Sequence, residues 1–365
     1  MKTGRTLSQL AAELERQQQA ARDFRAPAKQ VSMTVKTTGI GTSGKEENRA
    51  TPKVELQVGQ FGHFGLQPHA HDQLGGYLKI PAAYYDRMLA ERPTLLAHNV
   101  NTWLAATDDQ RLVRTLDGNV RAWVSNRYRV IDNHTVAMAV LPTLLAKGSG
   151  LRVESCEVTE QRMYIKAVNE RLTVDVKKGQ PVQAGIVISN SEVGCGAFKI
   201  EPLVFILACL NGAIMPDAGL RKYHIGRHTA ELDTSVEVFA DETRAADDKA
   251  LMLKMRDVVS AAFDEASFRQ TAKLLTVTTG NTIERDPVAS VTAAVEVLGL
   301  GEKHQPGILT ALVKGGDLSQ WGLSNAITTY AQTVKSYEEA TELERVGGAV
   351  ITLAAKDWQV IAQAA

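Results

Sequence analysis

Three stretches of this sequence hold residue types that could do chemistry. The first is Arg121-Ala-Trp-Val-Ser-Asn-Arg-Tyr-Arg-Val-Ile-Asp-Asn133. On an extended strand, side chains point alternately to opposite sides. Arg121, Trp123, Ser125, Arg127 and Arg129 then share one side, and Val124, Tyr128 and Val130 take the other. Guanidiniums grip phosphates bidentately and an indole stacks a base, which is what a groove for single-stranded nucleic acid requires. The plainer alternative is a sheet face that packs its arginines against an acidic surface of the same chain. The second stretch is Gly219-Leu-Arg-Lys-Tyr-His-Ile-Gly-Arg-His-Thr229. Here Arg221, Lys222, His224, Arg227 and His228 surround Tyr223, the densest basic and aromatic cluster in the chain and one suited to phosphate contact.

The third stretch is Ile188-Ser-Asn-Ser-Glu-Val-Gly-Cys-Gly-Ala-Phe198, an apolar strand that breaks into small polar residues and two glycines. Such a loop can present backbone N–H groups to an anion, or can be a bulge that turns a sheet. Asn190, Ser191 and Glu192 are its candidate polar residues. It matches neither a Walker A loop nor a dinucleotide fingerprint. Cys195 has no base near it in sequence, so a thiol nucleophile is not expected. His224 and His228 have helical spacing, but Gly219 and Gly226 oppose a helix there. His69-x-His71, with Asp72 and His63, lacks any zinc frame of the Cys-x-x-Cys or His-Glu-x-x-His kind. No metal, cofactor or catalytic residue is therefore expected.

The rest of the chain must position these groups. Its 365 residues exceed the size at which one core usually stops growing, so two lobes are expected. Apolar residues make up 44% and charged residues 22%, an ordinary globular balance rather than a disordered one. No apolar run reaches the roughly 18 residues that cross a bilayer, and the first residues form no apolar signal segment. Three widely spaced cysteines fit reduced thiols, hence a cytoplasmic setting without a membrane partner. Residues 1–230 carry 29 Lys and Arg against 21 Asp and Glu; residues 231–365 carry 12 against 20. A basic lobe facing an anionic partner, or two lobes that attract each other, would both produce this asymmetry.

The local signals predict an α+β fold: an antiparallel sheet core with flanking helices, followed by an all-helical C-terminal domain. Residues 1–50 read as a helix capped by Thr6 and Gln9 plus a mobile loop over 37–52. Residues 51–240 read as a strand-rich, mildly basic domain. It contains a hairpin turned by Asp117-Gly118, a helix from Asn133 to about Ala146, and a meander over Arg152–Val158, Gln161–Val168 and Leu172–Val176. Ala184–Ser189 should be a central strand. Residues 241–365 read as a helical, acidic domain, with Asp286 an N-cap and Ser336 with Glu339 a capping box.

Taken in order, four blocks resemble one family. They are Arg121 to Asn133, Ile188 to Ala197, Cys209-Leu-Asn-Gly212 and Trp321-Gly-Leu-Ser-Asn-Ala-Ile-Thr-Thr-Tyr330. The family is that of phage/plasmid-like proteins grouped as a domain of unknown function, number 932, and the likeness runs from about residue 60 to 350. It implies a mobile-element origin and no settled activity. Phages and plasmids often encode single-strand annealing proteins, which combine a hairpin sheet with helices, bind DNA through Arg and Lys, and form rings. By that analogy the expected function is binding of single-stranded DNA, with annealing and without catalysis, by a homo-oligomer. Arg121, Arg127, Arg129, Arg221, Lys222, Arg227 and His228 would hold phosphates. Trp123 and Tyr223 would stack bases, and Asn133 and Asn190 would shape the groove. The alternatives are an interaction or self-assembling protein that uses the two charged lobes, and a nucleotide-acting enzyme sited at Ser189–Gly196.

Overall fold

The computed structural model describes residues 1–36, 53–196, 198–215, 241–261 and 263–365. The loop expected at 37–52 and the cluster Arg221, Lys222, Tyr223, Arg227 and His228 lie outside the described residues. The fold is α+β, with two sheets of mainly antiparallel strands, flanking helices and an all-helical C-terminal region. Contacts gather the chain into two compact units. The smaller takes Ala12–Val130 with Glu192–Cys195, and the larger takes Met1–Ala11, Ile131–Ser191 and Gly196–Ala365. This grouping differs from a division near residue 240, because the second sheet shares a unit with the C-terminal helices.

Helix α1 (Leu7–Ala20) opens the chain behind the expected capping box. The Thr6 backbone N–H donates to Gln9 Oε1 at 2.8 Å, and the Gln9 backbone N–H donates to Thr6 Oγ1 at 3.2 Å. Strands β1 (Arg22–Pro27), β2 (Val31–Lys36), β3 (Lys53–Val58) and β4 (His63–Leu66) follow, then helices α2 (Pro68–Tyr77), α3 (Ala82–Glu91) and α4 (Pro93–Ala105). Strands β5 (Gln110–Leu116) and β6 (Asn119–Ser125) form the expected hairpin. Its turn residues Asp117 and Gly118 have φ of 51° and 74°, the left-handed pair that a two-residue turn demands. The six strands form one sheet in the order β1-β5-β6-β4-β3-β2, antiparallel apart from the short β4–β6 pairing. Leu56, Leu74, Leu96, Val100, Leu104 and Trp123 are among the residues that pack its core against the three helices.

The larger unit continues with α5 (Asn133–Leu144), β7 (Leu151–Val158), β8 (Met163–Lys177), β9 (Gln180–Asn190), β10 (Lys199–Ile206) and β11 (Asn211–Ile214). Gln161–Val168 and Leu172–Val176, expected as two strands, form the single strand β8 with an irregularity between Asn169 and Thr173. The sheet order β11-β10-β9-β8-β7 puts the apolar β9 at the centre, as its composition predicts. Helices α6 (Asp241–Ala261), α7 (Glu265–Thr278), α8 (Pro287–Val297), α9 (Gln305–Gly315), α10 (Gln320–Ala331), α11 (Tyr337–Ile351) and α12 (Ala355–Ala362) complete the chain. Asp286 Oδ1 accepts from the Val288 N–H and Ser336 Oγ from the Glu339 N–H, so both N-caps form, while the Glu339 carboxylate, expected to complete a box with Ser336, accepts from Lys303 Nζ at 2.6 Å. Val182, Val204, Phe268, Leu275 and Trp321 join the sheet to α7 and α10. Gly348 lets α11 touch β11, because a Cβ there would run into the Ile214 carbonyl. Among the described residues no helix is long and apolar enough to cross a membrane.

Candidate functional site

The face expected to carry Arg121, Trp123, Arg127 and Arg129 is not a single face. Strand β6 ends at Ser125, so Arg127 and Arg129 lie on the segment beyond it, the first exposed and the second half-buried. Within the strand, Arg114 pairs with Ala122 but Thr115 pairs with Val120, which leaves Arg121 as an extra residue. This β-bulge reverses the alternation. Val120 and Trp123 enter the core under α2 and α4, while Ala122 and Val124 pack with Leu112 and Val193 on the opposite side. Because β6 is an inner strand covered on both faces, Trp123 is only 2% exposed and Arg121 only 4%. Neither side chain meets solvent, which corrects the reading of Arg121 as a phosphate ligand and Trp123 as a base-stacking ring.

Arg121 serves another purpose. Its guanidinium forms a buried ion pair with the Glu192 carboxylate. Arg114, also buried, donates from Nη1 to the Glu192 carbonyl oxygen at 2.6 Å and from Nε to Asp23 Oδ1 at 2.9 Å. Gln73 Nε2 donates to the Val193 carbonyl oxygen at 2.8 Å, and His69 Nε2 stands 3.0 Å from that same oxygen. Glu192–Cys195 is thus a strap fastened by β5, β6 and α2 of the smaller unit. Asn133 and Asn190 do meet, but inside the larger unit and away from solvent. Asn190 Nδ2 donates to Asn133 Oδ1 at 2.9 Å and to the Ile131 carbonyl oxygen at 2.8 Å, which pins the start of α5 rather than shaping a groove.

The exposed aromatic surface lies elsewhere in the smaller unit. A cleft of about 780 Å³ runs from the end of α2 past the start of α3 to the end of α4. Its lining includes Tyr77, Lys79, Tyr84, Asn99, Trp103 and Asp109. Trp103 is 55% exposed and Tyr84 48%, so two large rings on one cleft are open to a partner. Tyr77 is held rigidly from beneath. The Arg111 guanidinium sits 4.2 Å from its ring centroid and 5.7 Å from that of Trp123, and the Tyr77 hydroxyl donates to Asp109 Oδ2 at 3.0 Å. Burial draws the Arg111 guanidinium below its usual range, the carboxylate of Asp109 acting in the opposite sense. Arg111 Nε and Trp123 Nε1 are buried donors with no hydrogen-bond partner among the described residues. Lys79, on the rim, has φ of 57°. This left-handed conformation costs a side-chain-bearing residue about 1–2 kcal/mol.

Sequence reading missed this cleft because its rings come from α2, α3 and α4, and no local run of basic and aromatic residues announces them. It missed a second pair for the same reason: Cys195 Sγ stands 3.1 Å from His69 Nε2, across 126 positions of sequence. Among the described residues no group of three or more His, Cys, Asp or Glu is placed to hold a metal ion.

A search of curated proteins and a search of solved structures each return no match. One family model does match: that of a domain of unknown function (DUF932), over residues 121–350. The matched span starts at the bulge of β6, includes the strap and the second sheet, and ends within α11; the aromatic cleft precedes it. A match over more than half of the sequence, with all four of the recurring blocks inside it, places the chain in the DUF932 family.

Proposed function

We propose that this protein binds single-stranded nucleic acid, with unpaired bases stacking in the cleft of the smaller unit. The observation that carries this reading is the exposure of Trp103 and Tyr84 on one cleft whose third ring, Tyr77, is braced by Arg111. Every base has a π-face, so aromatic platforms bind single strands with little regard to sequence. Asn99 and Asp109 offer hydrogen bonds to base edges, and Lys79 offers a cation to the backbone. Arg127, Arg129 and the Arg221–His228 cluster remain candidate phosphate contacts. A mobile-element origin, action in a bacterial cytoplasm, a homo-oligomeric form and annealing of complementary strands belong to the same proposal, and stacked, unpaired bases are what annealing needs.

Fluorescence anisotropy with labelled oligonucleotides tests the reading. Trp103→Ala and Tyr84→Ala are each expected to weaken single-strand binding by about 1–3 kcal/mol without changing the dependence on salt, since stacking releases no counterions. Replacing Arg127, Arg129, Arg221 and Arg227 together by Ala should instead flatten the log–log salt slope by up to about 3, from roughly 0.7 per phosphate contact. Wild-type protein that fails to bind single strands even at low salt would rule the proposal out.

A further inference from the structure

Asp109 lines the aromatic cleft and is anchored twice. Its backbone carbonyl accepts from the Ala28 N–H at 2.8 Å, and its Oδ2 accepts from the Tyr77 hydroxyl at 3.0 Å. Burial, and then the bond to Asp109, raises the Tyr77 phenol above its ordinary range, so the phenol keeps its proton and stays the donor. The carboxylate is otherwise open: among the described residues its Oδ1 has no hydrogen bond and it forms no ion pair. Two other polar side chains of the lining have spent their hydrogens. Asn99 Nδ2 donates to the Leu95 carbonyl oxygen at 3.0 Å and to Met88 Sδ at 3.6 Å. Thr107 Oγ1 donates to the Trp103 carbonyl oxygen at 3.1 Å. Asp109, Asn99 and Thr107 therefore offer a ligand acceptors and no hydrogen.

Stacking does not tell one base from another, but hydrogen bonding to a carboxylate does. Guanine carries two neighbouring donors, N1–H and N2–H, side by side on one edge. They match the two oxygens of a carboxylate as a bidentate pair. Adenine sets its N6 donor beside the lone pair of N1, and cytosine sets its N4 donor beside that of N3. Thymine holds its single N3–H between two carbonyl oxygens. Each of these three turns at least one lone pair toward an oxygen that is itself an acceptor, and an acceptor left facing an acceptor carries a desolvation cost.

We infer that the cleft selects an unpaired guanine within a single strand, with Asp109 as the specificity-determining residue that accepts from guanine N1–H and N2–H. This rests on the reading of the cleft as a base-stacking site and adds to it a preference at one position of the strand. Tyr84 and Trp103 supply faces to any base, whereas the acceptors of the lining supply the choice.

Anisotropy titrations with labelled oligothymidylates of one length, in which the central base is thymine, guanine, hypoxanthine, adenine or xanthine, test the inference. Guanine should bind about tenfold tighter than thymine. Adenine should gain nothing, and hypoxanthine, which lacks the N2 amine, should fall between. Free dGMP should compete far less well than the guanine oligomer, because it lacks the flanking phosphates. In Asp109→Asn the amide oxygen can still accept from Tyr77 while the amide nitrogen takes the open position as a donor. The advantage should then pass from guanine to xanthine, which has a carbonyl where guanine has its amine; a merely structural role for Asp109 would weaken every oligomer alike. Equal binding of the guanine and thymine oligomers, a guanine advantage that survives Asp109→Asn, or dGMP that competes as well as the oligomer overturns the inference and leaves single-strand binding in place. Wild-type protein that binds none of the oligomers overturns both. The comparison among oligomers on the wild-type protein stands even if the variant folds poorly.

Discussion

Lys166→Met alone should destabilise the protein by about 3–5 kcal/mol, the usual cost of leaving a buried charge without its partner. Lys166 and Glu344 are both wholly inaccessible, one on β8 and the other on α11. The ammonium donates to the Glu344 carboxylate and to Thr341 Oγ1 at 3.0 Å, and lies 4.7 Å from the Tyr337 ring centroid. Burial pulls the Lys166 ammonium below its ordinary range while Glu344 pulls it back up, so the pair exists only as a pair. The other Glu344 oxygen, Oε1, has no partner among the described residues, which raises the cost of isolating this carboxylate. Glu344→Leu should be comparably damaging. The double replacement Lys166→Met with Glu344→Leu should recover most of the loss, since an apolar pair of similar volume needs no desolvation. Urea denaturation of the four proteins gives the coupling directly. Additive losses, or a single replacement that costs less than about 1 kcal/mol, would show that the pair does not hold α11 to the sheet.

The second large effect concerns the strap. Glu192→Gln leaves the Arg121 guanidinium buried with a neutral partner and should cost about 3 kcal/mol or more. Arg121→Met takes the buried guanidinium away from Glu192 and should also destabilise the protein. Both changes should leave the salt dependence of oligonucleotide binding intact, because a guanidinium only 4% exposed neutralises no phosphate. Thermal melts and binding titrations on the same samples separate the two roles. A flattened salt slope in Arg121→Met, with stability unchanged, would restore this residue to the nucleic-acid contact that strand alternation assigns it.

That reversal shows where sequence was a sound guide. Asp117-Gly118, the Thr6–Gln9 box and the Ser336 cap were legible because each depends on residues within four positions of one another. Ala184–Ser189 was legible as a central strand because an apolar run covered on both faces has few other places to go. The bulge at Arg121 was not, since period-two reasoning assumes that no residue is skipped and a single extra one reverses every side chain after it. Trp123 therefore read as a ring for solvent when it is a ring for the core. The cleft stayed hidden because Tyr84 and Trp103 sit on different helices, and their exposure is a property of packing. The contact between Cys195 and His69 stayed hidden for the same reason, because it forms only through the fold.

The strap also sets an order of events during synthesis. The chain is made from its N-terminus, and Glu192–Cys195 is the last part of the smaller unit to emerge. Until then Arg121 has no carboxylate and the cluster of Leu112, Ala122 and Val124 lacks Val193. At roughly 5–20 residues per second, the stretch from Val130 to Cys195 takes on the order of several seconds to make. For that interval the nascent sheet holds an unpaired guanidinium and an open apolar face, a window in which a chaperone has something to bind.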